Sequence, residues 1–403
     1  MKSYTTYFLM DIDSVTEYVR ERLDLFEKND EIHAEEIGDG NLNYVFRVKS
    51  NNKSVIVKQA GTTARISEDF KLSTDRIRIE SEALLIHSRF AKELVPRVYL
   101  YDPIMGCCIM EDLYQFSIMR GELNDGKIFS TFTDHITTFL AETLMRTSDV
   151  VSPHQEKKKV QSTFTNPELC EITEDLVYTE PFLNQFNRNI LTAGNEIWMQ
   201  EALSEEQLHI EAAKLKFDFM TRGQALLHGD LHTGSIFVTE KETKVIDPEF
   251  AFYGPMGYDI GNIIANLIFA YARSEVLKRN KQSVWLLETI SGVVDGFLEK
   301  AEAIWHSDVL DPMAKQDSFC TWYLRSVISD TAGVAGLELI RRIVGLAKVS
   351  DITSLEQSER LIAERLCIAV AKRLIFERDQ ISSGNDFIEV IQSVLDIMKE
   401  ESR

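Results

Sequence analysis

The sequence predicts an α+β protein with two lobes: a small N-terminal lobe with an antiparallel sheet and a helix, and a larger, mostly helical C-terminal lobe. The chain has 403 residues, more than one ordinary hydrophobic core organises, which favours two units. Its first quarter contains short segments that alternate polar and apolar residues, as half-buried strands do. Beyond residue 113 the apolar residues recur at helical spacing over long stretches.

The N-terminal lobe is predicted over residues 1–112. Asp13 and Ser14 form a good N-cap pair, and the apolar residues after them lie on one helical face, so we expect a helix that reaches Phe26. A second helix is expected over 75–90, where strong helix formers occur without Gly or Pro. Gly- and Asn-rich turns separate the alternating segments, which indicates antiparallel hairpins. The predicted strands are 33–37, 44–48, 54–58, 98–100 and 107–110.

The C-terminal lobe is predicted over residues 113–403. The segments 235–238 and 244–247 flank a polar turn, the pattern of a β-hairpin among helices. The stretch 149–176 is rich in lysine and polar residues, so it is where we most expect a mobile loop, although such a charge run is also typical of a solvated surface. The predicted helices are 128–148, 204–226, 259–274, 283–304, 316–346, 355–376 and 384–400.

Composition and charge disfavour several classes of function. With 44% hydrophobic and 27% charged residues, the chain has the composition of a folded protein. Acidic residues outnumber basic ones by 64 to 44, and the net charge of −20 repels nucleic acid and anionic lipid. The five cysteines lack CxxC spacing, and neither a signal peptide nor a run of about 18 apolar residues is visible. We therefore expect a cytoplasmic protein that binds neither nucleic acid nor membrane.

The strongest motif brackets the predicted hairpin. Residues 228–235 read His-Gly-Asp-Leu-His-Thr-Gly-Ser, and residues 247–249 read Asp-Pro-Glu. A single loop aspartate commonly only caps a turn. Because a tight hairpin folds back on itself, however, Asp230 should meet Asp247 and Glu249 in space. Phosphoryl transfer requires this arrangement, in which one carboxylate accepts a hydroxyl proton and others hold Mg²⁺ on the phosphates.

These segments resemble the catalytic segment of the aminoglycoside, choline and homoserine phosphotransferases, small-molecule kinases that share the protein-kinase fold. The runs 228–235 and 245–261 are similar specifically to the 5-methylthioribose kinase family, and the similarity extends from Gly38 to Arg342. This resemblance implies a protein-kinase-like two-lobe fold, ATP and Mg²⁺ as cofactors, and a homodimer. It also implies a small-molecule substrate, 5-methylthioribose, phosphorylated at the 1-hydroxyl to give 5-methylthioribose 1-phosphate in methionine salvage.

The metal site departs from the pattern of related kinases. Five residues after the catalytic Asp230, where they place a metal-binding Asn, this chain has Ser235. A neutral hydroxyl is a weaker ligand, so we assign Mg²⁺ to Asp247 and Glu249. The 5-methylthioribose kinase pattern contains the same Ser and the same Asp-x-Glu pairing, and it implies that Pro248 also contacts the nucleotide. Asp-Pro-Glu in place of Asp-Phe-Gly disfavours a protein kinase.

The glycine loop 38–43 lies between two predicted strands, which excludes a Rossmann or Walker loop. A GxG in a hairpin is by itself more often only a turn. Followed by Lys58, however, it has the order of a kinase phosphate-covering hairpin and its strand lysine. Asn41, with Leu42 and Asn43 as further candidates, would then lie closest to the nucleotide.

Lys58 lies on an apolar strand, where an unpaired ammonium is costly, so it should have a carboxylate partner. We choose Glu80 with Glu82 as the alternative, because the two project about 200° apart around the helix and only one can face the cleft. The next predicted nucleotide contacts lie at the interlobe hinge, although the same residues also fit a plain acidic linker. These hinge residues are Glu111, Asp112 and Leu113.

Arg341 and Arg342 are the candidates for substrate binding. Adjacent helical residues project about 100° apart, so a joint grip on one group is not guaranteed, and surface arginine pairs commonly face solvent. The resemblance implies that an arginine here approaches the sugar and the transferring phosphoryl group, so we expect at least one of them to act there. Near the catalytic Asp230, we expect His228 to organise the loop backbone and Asp259 to hydrogen-bond that loop.

Two alternatives stay open at this point. The chain could phosphorylate another small alcohol, namely an aminoglycoside, choline or homoserine, and a cationic substrate would suit the net charge of −20. It could instead be a catalytically inactive regulator that only binds nucleotide. The presence of a suitable residue at every expected catalytic position speaks against that second alternative.

Overall fold

The computed structural model describes residues 4–27, 29–37, 43–61 and 73–401. Most of the glycine loop, including the predicted nucleotide contact Asn41 and the further candidate Leu42, lies outside these residues. Within the described residues, the prediction of an antiparallel sheet region followed by a mostly helical remainder is confirmed.

The N-terminal sheet contains the five predicted strands in the antiparallel order β1-β2-β3-β5-β4. Alternate residues of a strand point to opposite faces, so Val55 and Val57 pack in the cluster beneath the first helix, whereas Lys58 points to the other face. On that second face Lys58 is placed at the cleft described below. The strands are β1 (His33–Glu36), β2 (Asn43–Lys49), β3 (Ser54–Ala60), β4 (Val98–Asp102) and β5 (Cys107–Glu111).

Two helices cover this sheet, α1 (Ile12–Arg22) and α2 (Asp75–Phe90). The predicted N-cap pair of α1 was wrong by two residues. Asp11 is the N-cap, and its carboxylate accepts a hydrogen bond from the Ser14 backbone while the Ser14 hydroxyl accepts one from the Asp11 backbone. The helix also ends before Phe26, since Leu23 is extended.

The remainder of the chain packs around the long helices of residues 257–276 and 317–344. These two helices approach closely, because a Cβ atom at Gly261 would lie only 2.8 Å from the carbonyl oxygen of Thr331. A short π-helical turn, Ala141–Met145, continues the helix Phe132–Leu140. The helices are α3 (Met119–Asn124), α4 (Phe132–Leu140), α5 (His154–Thr163), α6 (Pro167–Leu176), α7 (Glu180–Leu183), α8 (Glu196–Leu203), α9 (Glu206–Thr221), α10 (Gly257–Val276), α11 (Asn280–Asp308), α12 (Asp317–Val344), α13 (Ser350–Thr353), α14 (Gln357–Glu377) and α15 (Gly384–Glu401).

The expectation of a mobile loop over 149–176 was wrong, because most of this stretch forms α5 and α6. The lysine run belongs to α5, where Lys157 is buried and donates hydrogen bonds to Asp149 and to the carbonyl of Gly223. Pro167 opens α6, a position at which its missing N–H costs nothing. The charged composition did not indicate these two helices, because the aliphatic stem of a lysine can be buried when its amine donates hydrogen bonds to acceptors.

The predicted hairpin around residue 240 is confirmed. Its strands pair antiparallel with Ile236 opposite Val245, which brings the segments before and after it to one end. Over the described part of the chain, no helix combines the length and apolarity needed to cross a lipid bilayer. The remaining strands are β6 (Ser117–Ile118), β7 (Ala225–Leu226), β8 (Ile236–Val238), β9 (Thr243–Val245) and β10 (Tyr253–Gly254), which form the sheets β6-β8-β9 and β7-β10.

Candidate active site

A cleft of about 510 Å³ lies between the N-terminal sheet and the helical region and collects most of the predicted site residues. One wall comes from β2, β3 and the end of β5. The other comes from the catalytic segment, residues 228–235, and from the hairpin of β8 and β9. Predicted site residues that line it are Lys58, Glu111, Asp112, Leu113, Asp230, Asp247 and Glu249.

Lys58 joins the two halves of this cleft. Its Nζ donates hydrogen bonds to Glu80 Oε1 at 3.0 Å and to Asp247 Oδ1 at 2.6 Å. Glu82 instead pairs with Arg78 at 2.9 Å, so of the two alternatives it is Glu80 that faces the lysine. Burial works against the charge of Lys58, but Asp247 and Glu80 outweigh burial and raise its pKa. The ammonium therefore stays charged at neutral pH.

Asp247 and Glu249 are aimed into the cleft by a tight turn. Asp247 has a left-handed backbone (φ 63°, ψ 48°), which Asp tolerates better than most residues, and a 3-10 turn (Pro248–Phe250) follows it. Pro248 is buried at the first position of that turn, where it fixes the backbone. The Asp247 side chain is 46% exposed and that of Glu249 13% exposed.

The two carboxylates suit a magnesium ion. Mg²⁺ prefers oxygen ligands and is commonly held by one or two carboxylates together with phosphate oxygens and water. Asp247 and Glu249 line the same cleft and offer that donor set. In the parts of the chain that the structure describes, no group of three or more His, Cys, Asp or Glu is arranged as a metal cluster. Ser235 is engaged nearby, since its hydroxyl donates to the Asp230 carbonyl at 3.3 Å.

The loop that carries Asp230 is fixed by its neighbours. The carboxylate of Asp259, at the start of α10, accepts hydrogen bonds from the backbone N–H groups of His228 (2.7 Å) and Gly229 (3.0 Å). His228 Nε2 in turn donates to the carbonyl of Ile246 at 2.7 Å. Gly229 has φ 85°, and a Cβ atom there would overlap the carbonyl of Phe250, so this position requires glycine. Both contacts expected of His228 and Asp259 are present.

The two arginines converge on Asp230. The Nη2 atoms of Arg341 and Arg342 each lie 3.7 Å from Asp230 Oδ1. Both are anchored one turn earlier on α12, where the fully buried Glu338 accepts hydrogen bonds from the Nε atoms of Arg341 and, at 2.8 Å, of Arg342. The i+3 and i+4 spacings bring both guanidinium groups onto one carboxylate despite their different projection angles.

This environment keeps Asp230 ionised. Burial alone would raise its pKa, but His232, Arg342 and Arg341 outweigh burial and lower the pKa to about 2. Burial lowers the pKa of His232 to about 3, so at neutral pH this imidazole is neutral and the two guanidinium groups supply the attraction. A carboxylate with so low a pKa is a weak base, and it is better suited to orienting a hydroxyl group than to removing its proton early.

The predicted hinge lies at the end of β5. The Asp112 carboxylate accepts hydrogen bonds from Arg47 Nε at 2.8 Å and Nη2 at 3.1 Å, which ties it to β2. Glu111 is held to the segment before β4 by its backbone N–H, which donates to the carbonyl of Arg97 at 2.8 Å, and by its carboxylate, which accepts from the backbone N–H of Arg97 at 3.1 Å. Leu113 is 7% exposed and lines the cleft. The side chains of Glu111 and Asp112 thus anchor the hinge, while the stretch 111–113 borders the cleft.

Two further residues support the site and were not predicted from the sequence. Glu338 stands three and four positions before the arginines, a helical spacing that was available as a signal. Arg120 donates to Thr233 Oγ1 at 3.3 Å and to Asn266 Oδ1 at 2.6 Å, which braces the catalytic segment from α3. Arg120 lies more than a hundred positions away in the chain, and no local pattern marks it.

Comparisons with known proteins show which family the chain belongs to. The model of the Phosphotransferase enzyme family matches residues 33–284. A methylthioribose kinase of Geobacillus sp. (strain WCH70) is 42% identical over 370 residues, 91% of each chain. One of Bacillus cereus (strain AH187) is 40% identical over 375 residues, 92% of this chain and 93% of the other. A choline kinase structure from Cryptosporidium parvum covers 95% of this chain and 96% of its own at 14% identity and a TM-score of 0.48. The chain belongs to the methylthioribose kinase family, within the phosphotransferase enzyme family.

Proposed function

We propose that this protein transfers the γ-phosphoryl group of ATP to the 1-hydroxyl of 5-methylthioribose, a step of methionine salvage. The observation that carries this proposal is that one cleft brings together Asp230, which has two arginines beside it, and the pair Asp247 and Glu249, which has Lys58 beside it. The relatives named methylthioribose kinases, 42% and 40% identical over most of the chain, support the choice of alcohol.

The nucleotide would lie at the Lys58 end of the cleft. Lys58 already contacts Asp247 at 2.6 Å and is therefore placed to neutralise phosphate oxygens beside the proposed metal ligands. Asp247 and Glu249 would hold Mg²⁺, which neutralises charge on the phosphates when it is bound. The stretch 111–113 would present backbone groups to the base, with Pro248 and Asn41 as further nucleotide contacts.

The sugar would lie at the Asp230 end. The hydroxyl donates a hydrogen bond to the Asp230 carboxylate, which aims the oxygen lone pair at the γ-phosphorus. The bond from phosphorus to this oxygen forms as the bond to the ADP oxygen breaks, and the hydroxyl proton passes to Asp230 and then to water. Arg341 and Arg342, held by Glu338, neutralise charge on the transferring group and stabilise the ionised form of Asp230.

The test is ADP release by the purified protein with Mg-ATP. We expect turnover with methylthioribose that exceeds turnover with ribose, choline, homoserine and kanamycin, and loss of that turnover in Asp230→Asn. Turnover confined to another alcohol would keep the reaction and overturn the substrate. A protein that binds ATP in a thermal-shift assay but phosphorylates none of these alcohols would instead be a nucleotide-binding regulator.

Three further assignments belong to the same proposal. The lobes are assigned to residues 1–112 and 113–403, with the boundary directly after the end of β5 at Glu111. We also assign the protein a homodimeric state and a cytoplasmic location. Sedimentation equilibrium tests the first of these two assignments, and fractionation of the source cells tests the second.

A further inference from the structure

Helix α2 carries two buried residues of opposite charge on one face. Arg76 and Glu80 are four positions apart, one helical turn, and are 3% and 0% exposed. Glu80 holds Lys58, and Lys58 holds Asp247, so the first carboxylate of the Asp-Pro-Glu segment is positioned from α2 through one intervening side chain. The geometry around Arg76 repeats this arrangement for the second carboxylate.

Asn43 is the intervening side chain in the second case. Arg76 Nε donates to Asn43 Oδ1 at 2.9 Å, and Asn43 Nδ2 donates to Glu249 Oε2 at 2.9 Å. Arg76 Nε itself lies 3.9 Å from Glu249 Oε2. Asn43 is 3% exposed, so both ends of its amide are committed in a site with little access to water.

Arg76 is in turn held in place by the backbone. Its Nη1 donates to the carbonyl of Ser73 at 2.8 Å and its Nη2 to the carbonyl of Gly61 at 3.1 Å. Because the guanidinium donates in several directions at once, its planar fork has a defined orientation toward Asn43. A lysine at this position has a single nitrogen and cannot reproduce the three separate donor positions from which Arg76 reaches Asn43 and both carbonyls.

The backbone of Glu249 is fixed independently. Asn166, at the start of α6, donates through its Nδ2 to the carbonyl of Glu249 at 2.9 Å and to that of Ala251 at 3.3 Å. Asn166 therefore holds the main chain of the turn, and Asn43 sets the direction of the side chain. The position of the Glu249 carboxylate is specified from both ends.

We propose that Asn43 and Arg76 are positioning residues for the metal site: Arg76 orients the Asn43 amide, and that amide holds the Glu249 carboxylate in the direction from which it binds Mg²⁺. This relay stands beside the Lys58–Glu80 pair and acts on the other metal-binding carboxylate. The inference rests on the proposed kinase function only in that it takes Asp247 and Glu249 to be the metal ligands.

The test measures metal binding directly, with Mn²⁺ as the probe, by electron paramagnetic resonance of free Mn²⁺ in the presence of the protein and ADP. Residues that orient metal ligands typically change metal affinity by about 10- to 100-fold. We expect Asn43→Ala and Arg76→Lys to weaken Mn²⁺ binding by that factor. Arg78→Lys is the matched control, since Arg78 lies on the same helix but pairs with Asp75 and Glu82 at the surface, and it should bind Mn²⁺ like the wild type.

A double-mutant cycle separates positioning from general loosening. If the amide acts through Glu249, Asn43→Ala should weaken Mn²⁺ binding no further in a Glu249→Gln background. Full additivity, or wild-type Mn²⁺ affinity in Asn43→Ala, would overturn the inference. Asn43→Ser, whose shorter side chain cannot span Arg76 and Glu249, decides the matter if the alanine variant does not fold.

The outcome is also separable from that of the proposed function, because Mn²⁺ binding does not depend on which alcohol is phosphorylated. If the Asn43 variants lose Mn²⁺ affinity but the wild-type protein phosphorylates none of the alcohols, the relay is upheld and the kinase assignment is rejected. Turnover on methylthioribose with unchanged Mn²⁺ affinity in the Asn43 variants would do the reverse.

Discussion

Replacing Glu338 by Gln should disable the arginine pair without altering its packing volume. Glu338 is fully buried and accepts hydrogen bonds from Arg341 Nε and from Arg342 Nε at 2.8 Å, and a longer one of 3.3 Å from Arg341 Nη2. The amide of Gln has only one acceptor oxygen, and its NH₂ group would face a guanidinium N–H. Two buried cations would then share the single negative charge of Asp230.

The size of the effect follows from that loss. Removing one partner of a buried, hydrogen-bonded charge pair typically costs about 3–5 kcal/mol, so the free energy of unfolding should fall by at least about 3 kcal/mol. Turnover should fall as well, because the guanidinium groups lose the anchor that aims them at Asp230. A displacement of about 1 Å in a positioned group can reduce the rate by about 100-fold, and we expect kcat to fall by that order.

The assay combines urea unfolding with steady-state kinetics, and Glu364→Gln is the control. Glu364 is an equally buried glutamate on the neighbouring helix α14, and it accepts hydrogen bonds from Thr192, Asn195 and Arg360. Its replacement should lower stability comparably and leave kcat near the wild-type value. Wild-type kcat in Glu338→Gln, or an equal loss in Glu364→Gln, would refute the assignment of Glu338 to the arginine pair.

Three further predictions concern the carboxylates. Asp230→Asn should retain ATP binding, measured by calorimetry, and lose about 10²- to 10⁴-fold in kcat, the usual contribution of a positioned base; near wild-type kcat would remove Asp230 from its role. Glu249→Gln should raise the Mg²⁺ concentration for half-maximal rate more than Ser235→Ala does, and the opposite ranking would contradict the metal assignment. Because the pKa of Asp230 is depressed to about 2, its contribution to stability is present above about pH 4 and lost as pH falls toward 2. Urea titrations between these pH values should show that the free energy of unfolding falls by about 2 kcal/mol in the wild type, a decline that should be absent in Asp230→Asn. The same dependence of the unfolding free energy on pH in both proteins would contradict the lowered pKa.

The secondary structure was predictable where one local pattern dominates. Period-two alternation identified the strands of the N-terminal sheet and the hairpin at residues 236–245. The prediction failed over 149–176, where the lysine run indicated a solvent-exposed loop. In the structure Lys157 is instead buried against a backbone carbonyl. Burial of a charged group depends on an acceptor from another element, here Gly223, and such a partner is invisible in a local window.

The site was predictable in its chemistry and less so in its geometry. The need of a strand lysine for a carboxylate predicted a partner at Glu80 or, alternatively, at Glu82, and helix geometry allows only one of them to face the strand. The contact between Lys58 and Glu80 is what distinguishes the two. Projection angles alone did not predict that both Arg341 and Arg342 reach Asp230. Long side chains reorient when a third group, Glu338, holds their inner nitrogens, so the direction of the Cα–Cβ bond does not decide where a guanidinium ends.

Gly229 has a mechanical consequence for the catalytic cycle. With no room for a side chain between its α-carbon and the carbonyl of Phe250, the loop bearing Asp230 rests directly on the turn that bears Asp247 and Glu249. We expect these two segments to move as one rigid platform. The motion that admits and releases nucleotide then belongs to the sheet and α2, which are joined to the platform through the long side chain of Lys58 and the amide of Asn43. The proposed proton acceptor and the proposed metal ligands would thus keep a constant spacing from one turnover to the next.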